Sequence, residues 1–139
     1  MPRLLLRCLL LCCLALLAGC PKSASRGSAL DEAQYAWSAA IRWGDFEGAW
    51  NLVDPEVRRA HPLTDLDLSR YGQIQISSYR ELGASVRPDG DVVRDIEIGV
   101  VNRNTLTERT VRFRERWHYD PAGKAWWQMS GLPDLWGER

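Results

Sequence analysis

Hydrophobic and polar positions divide the chain into zones of different period. Residues 8–18 form an apolar run with no charge. Residues 21–29 are small and polar with no period, which predicts a flexible tether. From residue 31 the spacing becomes helical. Ala33, Trp37, Ala40 and Ile41 fall on one face over residues 31–43. Asp31 and Glu32 suit the positive end of that helix, and Gly44 suits its stop. Asp45 predicts a cap for a second helix, where Phe46, Ala49, Trp50 and Val53 share a face. Asp54-Pro55 predicts a third, short helix to about Ala60, and Pro62 ends it. Thr64 to Asp67 resembles a capping box with Asp in place of Glu, which predicts a fourth helix ending near Gly72.

The period then changes to two. Residues 74–86, 92–102, 110–119 and 125–130 read as strands. Residues 87–90 and 120–123 suit tight turns, each with Pro second and Gly fourth, and residues 102–109 make a looser connection. In the third strand, Val111, Phe113, Glu115, Trp117 and Tyr119 share one side. Arg112, Arg114, Arg116 and His118 share the other. If the 120–123 turn sets the register, Trp117 faces Trp126, and Arg116 faces Trp127 in a cation–π contact. Helices first and an antiparallel meander after them predict one α+β domain over residues 31–136, with helices packed on a curved sheet of about four strands.

Composition changes this picture in two places. All four cysteines, Cys8, Cys12, Cys13 and Cys20, lie at or before residue 20, so the body must fold on an apolar core without disulfides or a Cys-based zinc site. The seven tryptophans, all after residue 36, supply much of that core. The 18 basic and 18 acidic residues cancel. Without Arg3 and Arg7 the balance is about −2, which gives no reason to expect nucleic acid.

The amino-terminal segment carries the most specific motif. A short basic stretch with Arg3 and Arg7 precedes the apolar run, which is too short to span a bilayer comfortably. Leu17-Ala18-Gly19-Cys20 then resembles the bacterial lipobox. The resemblance implies that residues 1–19 are a lipoprotein signal peptide. It also implies that Cys20 is acylated on its thiol and its new amine, and that residues 20–30 link lipid to domain. Several acyl chains, at about 0.8 kcal/mol per buried methylene, make a stable anchor. Residue 21 is Pro and not the Asp associated with inner-membrane retention. The expected address is therefore the cell envelope, at the outer membrane facing the periplasm.

Residues 39–56 resemble the opening of the NTF2-like superfamily. The likeness is carried by Gly44-Asp45-Phe46, by Trp50 and by Asp54-Pro55-Glu56. The resemblance implies a cone-shaped domain whose sheet wraps the helices around a pocket open at one end, and a dimer formed through the sheet. Its enzymes, which include isomerases, dehydratases and cyclases, place an acid or a His–Asp pair in the cone. Other members bind ligands or proteins.

Candidate chemistry in the body is sparse. His61 precedes Pro62 in a connection and also suits a solvated loop. His118 could act as a base or be an ordinary surface residue. Two histidines with no third ligand in spacing do not make a metal site. Neither a Gly-rich phosphate loop nor a Gly-x-Ser-x-Gly elbow is present. No cofactor is expected. Arg112, Arg114 and Arg116 make a basic stripe for an anionic ligand or anionic lipid headgroups, or a solvated face paired with acids such as Glu97. Trp37 and Trp50 read as core, and Trp127 and Trp136 as candidates for a ligand or partner surface. Three functions stay open. A non-enzymatic lipid-anchored protein that binds a small molecule or an envelope partner comes first. A pocket enzyme with His118 or Asp45 as base is the alternative, and a structural accessory subunit is the third.

Overall fold

The structure is a computed structural model that describes residues 25–137. The signal segment, the lipidation candidate Cys20 and residues 21–24 lie outside the described residues. Among the described residues four helices, α1 (Arg26–Trp43), α2 (Phe46–Trp50), α3 (Pro55–Ala60) and α4 (Asp65–Tyr71), precede four strands. The strands β1 (Ile74–Val86), β2 (Val92–Asn102), β3 (Glu108–Asp120) and β4 (Ala125–Gln128) pair in sequence order, all antiparallel. The domain is an α+β fold, with the helices packed against one face of the meander.

Each helix starts where a side chain satisfies its orphan amides. Asp45 accepts from the Gly48 amide at 2.8 Å. Asp54 accepts from Glu56 at 2.8 Å, ahead of Pro55. Thr64 and Asp67 bond reciprocally, at 3.0 and 3.2 Å. Gly44 ends α1 at φ 73°, a left-handed conformation that costs glycine little. The first helix starts earlier than expected, and β3 (Glu108–Asp120) is longer and β4 (Ala125–Gln128) shorter than the strands expected at 110–119 and 125–130. The helix begins at Arg26 because the Ser25 hydroxyl accepts from the Ser28 amide at 3.2 Å, so residues 26–30 are helix and not tether.

The core lies between α1 and the inner face of the sheet. Trp37, Ile41, Ile96, Ile98 and Trp117 are each 1% exposed or less. The Trp37 and Trp117 rings meet edge to face at 6.1 Å. Phe46 stacks on Tyr71 at 4.1 Å, which brings α2 against α4. After β4 the chain runs back along the sheet. Tyr71 donates its hydroxyl to the Pro133 carbonyl at 2.8 Å, and the Arg109 guanidinium donates to the Leu135 carbonyl at 3.0 Å.

The register between β3 and β4 corrects the expected one by two residues. His118 lies opposite Trp127, Tyr119 opposite Trp126, and Trp117 opposite Gln128. The Asp120 carboxylate accepts from Ala122 and Gly123, and Lys124 takes φ 51°, so the loop holds four residues and not two. A shift of two preserves the faces while changing the partners. Trp126 therefore packs on Tyr119 at 5.3 Å, and Trp117 packs on Trp37. The expected contact of Arg116 with Trp127 gives way to an ion pair with Asp91.

Candidate functional site

A cleft of about 660 Å³ opens between the short helices and the carboxy-terminal segment. Trp50 of α2 and Val57 of α3 form one wall. Arg70 and Tyr71 of α4 form another, and Leu132 and Trp136 close the third. Local geometry explains why these side chains converge. The amide of Asp54 bonds the Gln128 carbonyl at 3.0 Å, which ties the α2–α3 joint to β4. The Tyr71–Pro133 bond and the Phe46–Tyr71 stack hold α4 to both α2 and the tail. Trp136 then lies 5.0 Å from the Tyr71 ring, with the Arg70 guanidinium 4.3 Å over its own ring. That cation–π arrangement is worth about 0.5–1 kcal/mol at an exposed site.

The polar groups of the cleft are bound up in structure or open to water. Burial, first, and the charges of Asp134 and Asp67 push the Tyr71 phenol far above its ordinary value. Its proton stays on and is donated to Pro133. Asp67 also lines the cleft, and bonds from the Thr64 side chain and backbone hold its carboxyl below the ordinary range. His61, Arg70 and Asp134 are exposed at the rim. The cleft thus has a mixed lining, with the Trp50, Tyr71 and Trp136 rings beside polar groups and charges of both signs.

The basic stripe and its histidine lie elsewhere, on the outer face of the sheet. Asp91, 1% exposed, accepts from Arg116 Nε at 2.5 Å and contacts His118 Nδ1 at 2.7 Å. Burial alone would raise the Asp91 carboxyl. The bonds from His118 and Arg116, with their charges, outweigh it and hold the carboxyl below its usual value. The contact through Nδ1 fixes the ring and leaves Nε2 as the free nitrogen, the arrangement of an oriented base. His118 is half exposed, however, and does not line the cleft. The rest of the stripe is compensated in part. Arg114 bonds Asp95 at 2.7 Å, Arg80 bonds Glu97, and Arg112 stands opposite Glu97 in register. Arg112 and Arg114 also border a second depression, of about 490 Å³, beside the β1 irregularity at Glu81 and Gly83.

Of the candidates, the structure places Trp136 in the cleft. It places Trp127, Arg112, Arg114, Arg116 and His118 together on the outer face. Asp45, the other candidate base, is an exposed helix cap. The sequence analysis does not single out Arg70 or Leu63 as cleft residues or Asp91 as the partner of His118, and it reads Trp50 as core. Asp91 was findable. The β2–β3 register that sets Arg94 opposite Glu115 and Asp95 opposite Arg114, continued past Val92 and Trp117, sets Asp91 beside His118.

Among the described residues no helix is long and apolar enough to cross a membrane, and no group of three or more His, Cys, Asp or Glu is placed to hold a metal ion. No family model, curated protein or solved structure matches the chain.

Proposed function

We propose that this chain is a lipid-anchored protein of the bacterial envelope, acylated at Cys20, whose NTF2-like domain binds a small molecule in the cleft closed by Trp136. One observation carries the choice of binding over catalysis. The buried titratable group that lines the cleft, Tyr71, has its hydroxyl committed to the Pro133 carbonyl. A general acid or base must be free to exchange a proton with the substrate, and Tyr71 is not. The Trp50, Val57, Leu132 and Trp136 surfaces suit an apolar or flat body, and Arg70 suits an anionic edge. The lipobox supports the anchor, and Pro21 supports the outer membrane facing the periplasm.

Native mass spectrometry of the protein extracted gently from its own membranes tests both halves. The expected result is an acylated amino-terminal Cys20 and a small-molecule adduct that falls at least tenfold in Trp136→Ala. An adduct indifferent to Trp136→Ala sinks the cleft as the binding site. A bare dimer or a protein adduct would instead favour an interaction or accessory role.

The pocket-enzyme reading rests on one observation, the Asp91–His118 contact. It expects a reaction lost in His118→Gln and Asp91→Asn alike. The binding reading expects neither substitution to change adduct formation.

A further inference from the structure

The two ends of the sheet differ, and the chain before Ser25 tells them apart. At one end lie the β1–β2 turn, the β3–β4 turn and the start of α1. Register sets Val86 opposite Val92, and Val92 opposite Trp117. The Trp126 indole donates to the Arg26 carbonyl at 2.9 Å, and the Arg26 guanidinium sits 4.0 Å over the Tyr119 ring. The first turn of α1 is thus pinned to the β3–β4 hairpin. At the other end lie the β2–β3 connection, α4 and the Trp136 wall of the cleft, tied down where Arg109 holds Leu135.

We propose that the hairpin end of the sheet rests on the membrane surface, with Tyr119, Trp126 and Arg26 at the lipid headgroups, so that the cleft opens away from the bilayer. This rests on the acylation of Cys20. Cys20 lies five positions before Ser25, and an extended chain spans at most about 3.6 Å per step, so the anchor lies within roughly 18 Å of the start of α1. Tyr119 and Arg109 are ten positions apart on β3, roughly 33 Å at about 3.3 Å per residue. The tether is too short to let the cleft end take the place of the hairpin end at the lipid.

The surface at that end has interfacial chemistry. Tyr119, Trp126 and Trp127 are partly exposed there, and tyrosine and tryptophan favour the boundary where an apolar ring meets a wet headgroup layer. Arg26 and Lys124 add positive charge toward anionic lipid. Asp120 has both carboxylate oxygens turned back onto its own loop amides, and Asp89 faces Arg87 at 3.4 Å. Val86, 72% exposed, and Leu82, 45% exposed, leave apolar surface on the same β1–β2 hairpin. A headgroup layer covers such a rim without a protein partner.

The test compares two reporters on the full acylated protein in vesicles of phosphatidylethanolamine and phosphatidylglycerol. Ala122→Cys and Asn104→Cys place a thiol in an exposed loop at either end, and each is labelled with a polarity-sensitive fluorophore. A headgroup-attached quencher should reduce emission at 122 severalfold more than at 104. Reversing charge with Arg26→Glu and Lys124→Glu together should narrow that difference. Equal quenching at the two positions, with Cys20 acylated by mass, overturns the docking surface and leaves the anchor standing. An unacylated Cys20 in the same preparation overturns both.

Discussion

Glu115 and Asp91 are both buried carboxylates gathered by cations on neighbouring strands, yet they belong to opposite faces of the sheet. Glu115 lies inside, under α1, fully covered. It accepts from Arg94 at 2.9 and 2.6 Å, from the Trp117 indole at 2.9 Å, and from the Tyr79 hydroxyl. Asp91 is as buried, but its partners Arg116 and His118 are half exposed on the outer face. The difference is one of access. Each donor to Glu115 is itself buried, and the cluster meets the surface only where Arg94 also bonds Glu81 at 3.2 Å, so it stiffens the sheet beneath Trp37. Around Asp91 the cations reach water, so a change there can be absorbed by solvent.

The largest expected effect is on the sealed cluster. Glu115→Ala strips Arg94 of its buried partner, leaves it only the half-exposed Glu81, and should cost about 3 kcal/mol, read as a fall in the midpoint of denaturant unfolding. Asp91→Asn should cost less, about 1–2 kcal/mol, because Arg116 and His118 can turn to solvent. Equal losses for the two would break the comparison.

The pH limbs separate the two clusters further. The folded carboxyl of Asp91 titrates below its ordinary value. Its stabilisation is complete above the unfolded value of about 3.9 and drains away as the pH falls through the lower folded value. Asp91→Asn should flatten that acid limb. Tyr79 behaves oppositely. Burial, then the charge of Glu115 and the bond to it, raise its phenol. Its contribution is complete below about pH 10 and is lost as the pH climbs further. Tyr79→Phe should flatten the alkaline limb while lowering stability at neutral pH, because Glu115 loses a donor. An unchanged alkaline limb would mean that Tyr79 is not sealed. The smallest effect should come from Arg114→Ala. Its ion pair with Asp95 is solvent-exposed, and the unfolding midpoint should not move measurably.

Much of the fold was legible because local rules agreed with one another. The caps at Asp45, Asp54 and Thr64 stand where the side chains predict them, and the alternation of β3 places Glu115 and Trp117 inward and Arg114 and His118 outward. The β3–β4 partners were not legible, because a four-residue loop and a two-residue loop give the same alternation. The cleft was less legible still. Trp50 on a helical face reads as core whether or not a cavity lies beside it, and Arg70 gives no sign that it covers Trp136.

The sequence by itself determined the order of helices and strands and the two faces of β3, because each depends on neighbours a few residues apart. Tertiary structure alone decided that the carboxy-terminal tail folds back over α4 to make the cleft. It also decided that Arg116 turns to Asp91 and not to Trp127, and that the start of α1 is pinned to the far hairpin. Those contacts join residues 25 to 100 positions apart, and the sequence fixes such meetings only through the register and packing of the whole sheet.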